Sequence, residues 1–248
     1  MIGAIIQARM GSSRCPEKSL KDLCGKPLLQ WVVNRTQQCR SISKIVIATT
    51  INKEDDKIEN FCKQNGILCY RGSSDDVLDR YYMAAKAYEI DTIVRVTADD
   101  PFKDPDVIEL VIECFQRGGY DYVSNTLKPT YPEGLDVEVF SFESLEEAWK
   151  EAKLLSEREH VTPYIWKNKG EFKLFNVEHS IDFSHYRWTI DHDEDFIFAG
   201  RIIRYLEDKE NFRMKDILQV MEDHPEITQI NAGFVRNEGY LKSINQEE

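Results

Sequence analysis

The feature that most limits how this chain can fold is a rhythm in its first half. Four apolar runs of strand length, "IGAIIQA" (2–8), "KIVIATT" (44–50), "ILCYRG" (67–72) and "TIVRVTA" (92–98), alternate with stretches of helical spacing. The stretch 26–40 places Leu28, Leu29, Val32, Val33 and Thr36 on one side, and 54–66 reads as a helix closing on Gly66. The stretch 74–89 opens with Ser74 as its expected N-cap, and 104–119 opens with an aspartate and a proline and stops at two glycines. Strand-helix alternation of this kind predicts an α/β fold, with a mostly parallel sheet covered by helices on both faces.

The second half is less regular. The stretches 121–126, 135–142, 172–179 and 187–190 ("RWTI") read as strands, and 141–153, 156–168, 194–208 and 213–223 as helices, the second of these bent near Pro163. With no repeat, low-complexity tract or linker, the economical reading is one domain over 1–231. It carries an acceptor-binding or dimerisation insertion around 125–185, and 232–248 is a polar C-terminal tail, either a loose end or a docking segment. A hydrophobic share of 42% suffices for a real core at this length. The net charge of -12 argues against a partner that is a nucleic-acid polymer, which needs a basic face, but permits a local cationic pocket for one nucleotide. The six cysteines form no C-x-x-C pair and match no zinc spacing, as expected of reduced thiols in a cytoplasmic protein. The opening "MIGAIIQAR" is too short an apolar run for a signal peptide or a membrane span, so no membrane association is expected.

Ligands of open α/β sheets sit beyond the carboxyl ends of the strands. Here "RMGSSRCPEK" (9–18) follows the first strand and is cationic, while "DDP" (99–101) and "DHDED" (191–195) follow "TIVRVTA" and "RWTI" and are anionic. Cations for phosphate oxygens and carboxylates for a metal together suit a nucleoside triphosphate with Mg²⁺. The glycine loop matches neither a P-loop nor a dinucleotide fingerprint, yet Gly11, Ser12 and Ser13 can offer backbone N–H groups to an anion or form a plain surface turn. Asp99 and Asp100 before Pro101 read either as a helix-capping turn or as a metal site with Asp191 as second ligand, whereas Asp193 and Asp195 suit the start of the next helix. Arg158, Glu159 and His160 are either a solvated helix face or an acceptor pocket. Glu133, Asp136 and Glu138 offer carboxylates for sugar hydroxyls, some of them outward-facing; His179, His185 and His224 read as structural, and His192 stays open.

The stretch "IIQARMGSSRCPEKSLKDLCGKPLLQW" resembles the opening of the cytidylyltransferases that activate acidic sugars, the KDO and acylneuraminate enzymes. The SpsF-like branch, linked to spore-coat and surface polysaccharide synthesis, is closer still, through "RGSSDDVLDRYY", "VRVTADDP", "YPEGLDVEVFS", "SEREHVTPYI" and "RWTID". The resemblance runs from residue 1 to about 205 and implies a Rossmann-like nucleotidyltransferase fold of the GT-A type, a mixed but mostly parallel sheet, and a homodimer. It places Arg9, Arg14 and Lys18 on triphosphate-binding positions, with Arg14, Lys18 and Asp99 catalytic. Asp99 and Asp191 fall on the metal positions, for Mg²⁺ or Mn²⁺ in its place; Ala8, Ser73 and Asp75 lie where base and ribose are held. Cys15 stands where the family turn often has a branched apolar residue, and "TADDP" departs from the glycine-containing versions of the sialic acid and KDO enzymes. The expected activity is CTP-dependent nucleotidyl transfer to a sugar-like acceptor with pyrophosphate leaving. Its rivals are a GT-A glycosyltransferase, for which "DHD" comes too late in the chain, and a non-catalytic nucleotide-binding protein.

Overall fold

Alternate residues of the first strand face opposite sides, and both sides are dry. The computed structural model describes residues 1–11, 15–206 and 211–247. Its first half contains β1 (Ile2–Gln7), the short hairpin β2 (Asp22–Leu23) and β3 (Lys26–Pro27), α1 (Leu28–Thr36), β4 (Lys44–Thr50), α2 (Asp56–Asn65), β5 (Leu68–Gly72), α3 (Val77–Ala87), β6 (Thr92–Thr97) and α4 (Pro105–Gln116). There follow β7 (Tyr122–Ser124), β8 (Glu138–Ser141), α5 (Phe142–Glu151), α6 (Leu155–His160), α7 (Pro163–Lys167), β9 (Leu174–Asn176), α8 (Asp193–Tyr205), α9 (Met214–Asp223) and α10 (Glu238–Asn245). Ala4 and Ile6 of β1 pack with Leu29, Val33, Ile108 and Ile202 under α1, α4 and α8, while Ile5 packs with Leu78, Tyr81 and Leu145 under α3 and α5. Two covered faces explain why the strands are apolar throughout rather than alternating. Each fully buried aliphatic side chain contributes roughly 1.5–3 kcal/mol.

The main sheet has strand order β5-β4-β1-β6-β8-β7-β9. Strands β5, β4, β1 and β6 are mutually parallel, β8 runs antiparallel between β6 and β7, and β9 is parallel to β7. The chain winds outward from β1 through β4 to β5, then returns to the other side of β1 with β6. That reversal opens a crevice at the carboxyl ends of β1 and β6, where loops leave in opposite directions. At the opposite end of β1, a Cβ on Gly3 would come 2.6 Å from the Ile90 side chain, so the strand packs closely there.

Two readings of the sequence change, the cap of α3 and the strand at 187–190. The cap of α3 is Asp76, whose carboxylate accepts from Asp79 N at 2.8 Å, and not Ser74, because the helix begins only at Val77. "RWTI" is not a strand. Both neighbouring positions on β6 are taken by β1 and β8, so 187–190 runs across the strand ends and forms only a single bridge, Arg187 to Glu133. The segment 125–185 supplies β8 and β9 to the main sheet. The polar tail folds into α10, which packs against α6. No described helix is long and apolar enough to cross a membrane.

Candidate active site

The cationic loop after β1 is held at both ends by backbone groups it could not satisfy alone. Ala8 N donates to Ala48 O at 3.2 Å, Met10 N to the Asp55 carboxylate at 2.7 Å, and Glu17 N to Met10 O at 3.0 Å. Glu17 turns the chain with φ +58°, and the next residue, Lys18, starts a short 3₁₀ turn. Its ammonium thereby enters the crevice, donating to Asp99 Oδ2 at 3.0 Å, Asp191 Oδ1 at 2.7 Å and Ile190 O at 2.7 Å. Burial works against the charge on Lys18, but the two carboxylates outweigh it and hold its pKa above the usual value.

Asp99 and Asp100 have separate tasks. Asp100 is buried, accepts from Thr97 Oγ1 at 2.7 Å and pairs with Lys103 at 2.8 Å, and burial pushes its pKa up against the pull of Lys103. This anchors the turn and leaves Asp99 facing Lys18. Asp191 reaches the same ammonium because Ile190 N donates to Asp99 O at 2.9 Å, tying the crossing segment to the end of β6. Arg187 secures it from behind, at 2.8 Å from Glu133, 3.0 Å from Asp195 and 3.5 Å from Asp191. Burial opposes the guanidinium charge, and these carboxylates more than restore it. Asp195 is fully buried and accepts from the backbone N–H of Asp191 and His192 at 2.9 and 3.0 Å, the helix-leading role expected of it. His192, left open by the sequence, pairs with Glu238 at 3.1 Å and stacks on Phe234.

A cavity of about 510 Å³ extends from this point. Of the expected residues, Ala8, Arg9, Lys18, Asp99, Asp191, Glu133, Asp136, Glu138, Glu159 and His160 line it. Gly11, Ser73, Asp75 and Arg158 do not. Gly11 and Asp75 are exposed. Ser73 accepts from Asp76 N at 3.1 Å, and Arg158 binds Asp76 and, at 2.7 Å, Trp149 O, so it ties α6 to α3. Ser12, Ser13 and Arg14 lie outside the described residues. Lys21 is a surface residue, 3.1 Å from Asp193. Glu138 is more a floor than a free acceptor: it binds Arg95, Tyr122 Oη at 2.6 Å and Thr162 Oγ1 at 2.5 Å. Burial opposes its charge, yet Arg95 and these donors hold its pKa below the ordinary value. His160 sits 2.9 Å from Ser243 Oγ, and burial reinforced by Arg95 pushes its pKa down to about 4, so the ring is neutral at pH 7.

Sequence reasoning missed several wall residues. Arg80 is buried on α3, and burial, with Arg9 nearby, pushes its pKa down. Its Nε meets no partner among the described residues. Arg95 could have been noticed as a lone charge inside an apolar strand, and Arg80 by its place in the first turn of the helix that follows β5. Trp166 and Tyr240 carried no such signal.

A doubly wound sheet whose switch point gathers cations, paired carboxylates and a polar cavity defines a Rossmann-like nucleotidyltransferase. The family model for cytidylyltransferase matches residues 3–223. The spore coat polysaccharide biosynthesis protein SpsF of Bacillus subtilis is 31% identical, over 90% of this chain and 94% of its own. An uncharacterized protein of Methanocaldococcus jannaschii is 38% identical over 95% of this chain and 96% of its own. Among solved structures, a cytidylyltransferase from Leptospira borgpetersenii superposes with a TM-score of 0.89 at 34% identity, covering 95% of this chain and 99% of its own. The chain belongs to the cytidylyltransferase family.

Proposed function

We propose that the protein transfers a cytidylyl group from CTP to an oxygen of a sugar-like acceptor, releasing pyrophosphate, in the synthesis of a surface polysaccharide or glycoconjugate. The observation that carries this reading is the single ammonium of Lys18 shared by Asp99 and Asp191, at the mouth of a cavity walled by further carboxylates. In the proposed reaction the acceptor oxygen attacks the α-phosphorus in line as the bond to pyrophosphate breaks, and no covalent enzyme intermediate forms. Arg9 and Lys18 hold phosphate oxygens, and with Arg14 they offset the charge gathering on the leaving group. The family resemblance also supports a cytoplasmic homodimer, which sedimentation velocity can check.

The residues present fit Mg²⁺, or Mn²⁺ in its place. A hard cation of this kind takes one or two carboxylates and completes its shell with substrate phosphates and water. Asp99 and Asp191 supply such a pair, both within reach of one cation. Among the described residues no group of three or more His, Cys, Asp or Glu could hold a metal unaided, so the substrate itself would complete the shell. When bound, the ion would neutralise phosphate oxygens as charge develops on them.

The test is a magnesium-dependent pyrophosphate-release assay crossing four nucleoside triphosphates with an acceptor panel. Asp99→Asn should lower turnover at least about a hundredfold, the usual cost of losing one such electrostatic contact, while melting like the wild type. Near-normal release by that variant at ordinary magnesium would overturn the assignment, and hydrolysis of nucleotide sugars in place of CTP use would point to a glycosyltransferase.

A further inference from the structure

Asp191 stands on a stretch that no strand ladder fixes. Residues 187–190 make a single bridge to the sheet, so side chains must hold what backbone pairing does not. The hub of the stretch 187–195 is the Asp195 carboxylate, which is fully buried. It accepts from Arg187 Nε at 3.0 Å and Nη2 at 3.1 Å, from Asp191 N at 2.9 Å and from His192 N at 3.0 Å. All of these donors belong to the stretch itself. Asn231, from beyond α9, supplies a further one: its Nδ2 donates to Asp195 Oδ1 at 2.9 Å. The same nitrogen donates to Arg187 O at 3.0 Å.

One amide thus joins the residue that enters the stretch to the residue that closes it, with Asp191 between them. Both partners are acceptors, so the nitrogen of the amide, and not its oxygen, must face them. Asn231 is 4% exposed, and bonds lost there would leave a buried carbonyl and carboxylate short of a donor. The C-terminal segment touches the stretch twice more. Asn237 N donates to Glu133 Oε1 at 2.9 Å, while the other oxygen of Glu133 lies 2.8 Å from Arg187. Glu238 lies 3.1 Å from His192, but its side chain is 29% exposed and solvent weakens the pair. Asn231 is the tie that water does not reach.

We propose that Asn231 is a positioning residue for Asp191: its amide fixes the stretch that presents this carboxylate, beside Asp99, to the divalent cation accompanying the nucleotide. The inference rests on the cytidylyl-transfer reading and adds to it a residue that touches neither substrate nor metal. The test uses the full chain with a CTP analogue carrying a methylene bridge between the α- and β-phosphorus, so that no pyrophosphate can leave. Electron paramagnetic resonance of free Mn²⁺ reports metal binding to the protein–analogue complex, and calorimetry in EDTA reports analogue binding without metal. Asn231→Ala and Asn231→Leu both remove the donor, the first leaving a void that the second largely fills. The two should differ in melting temperature yet share a loss of about tenfold in Mn²⁺ affinity, while analogue affinity in EDTA stays within about twofold of the wild type. A merely structural role would move the melting temperature and leave the metal in place. Wild-type Mn²⁺ affinity in either variant, a loss that follows the melting temperature and not the missing amide, or failure of both variants to fold would overturn the proposal. Failure of the wild type to bind the analogue, or to bind Mn²⁺ in its presence, would instead refute the metal-assisted cytidylyl-transfer reading.

Discussion

Replacing Lys18 by methionine removes a cation that Asp99 and Asp191 share and keeps most of its apolar volume. The side chain is 12% exposed, and its partners are 26% and 17% exposed, so solvent screens the triad only partly. Taking one partner from a buried ionic group costs about 3–5 kcal/mol, because it strands a charge. Two features argue for the lower end. Asp191 keeps Arg187 at 3.5 Å, and Asp99 retains some contact with water. A loss of about 3 kcal/mol in a chain of this size corresponds to a melting temperature lower by roughly 6–12 °C. Added Mg²⁺ should then stabilise the variant more than the wild type, since a divalent ion no longer competes with the ammonium for the same two carboxylates. Differential scanning calorimetry with and without magnesium measures both effects, and pyrophosphate release should fall by two to three orders of magnitude. A variant that melts with the wild type, and gains no more from magnesium, would refute the account of Lys18 as the counter-ion of a metal pair.

Three further changes probe how the site is held. Gly134 has φ +107°, and a Cβ there would stand 2.8 Å from Thr189 N and Trp188 C, so Gly134→Ala should cost more than about 2 kcal/mol and displace the segment leading to Asp191, read as a lower melting temperature together with lost turnover. Arg158→Ala should lower stability by about 1–3 kcal/mol by freeing Asp76 and Trp149 O, yet leave the acceptor KM unchanged in steady-state kinetics. His160 has a folded pKa of about 4 against an ordinary 6.5, so the unfolded chain binds the extra proton between those values. Its contribution is full above pH 6.5 and is lost as pH falls toward 4, at most about 3 kcal/mol, and His160→Asn should flatten denaturant-measured stability across that window.

Much of the frame was open to reading along the chain. Runs such as "KIVIATT" and "TIVRVTA" are short and apolar on both faces, and local patterning of that kind survives any arrangement of the distant chain. Lys18, Asp99 and Asp191 were also visible, because a polar cluster at the end of an apolar run marks the edge where such sheets bind ligands. "RWTI" failed as a strand because its apolar character reflects burial under a loop crossing, which looks like strand burial when read one residue at a time. Arg158 lies off the cavity lining because it binds Asp76, distant in sequence and adjacent in space.

By itself, then, the sequence determined the alternation of strands and helices in the first half and the residue types that follow its strand ends. These depend on periodicities of two and 3.6 residues that act locally. Only the tertiary structure decided which charges face the cavity and which stand behind it. Glu133 and Arg187, or Asp136 and Arg236, are equally charged letters in a row, and the packing of α8 and of the segment leading to α10 turns the acid of each pair inward. The same packing turned an apparently loose tail into part of the cavity lining, where Tyr240 meets Trp166. Long-range contacts settle which side of a side chain is wet, and no pattern within a short window encodes them.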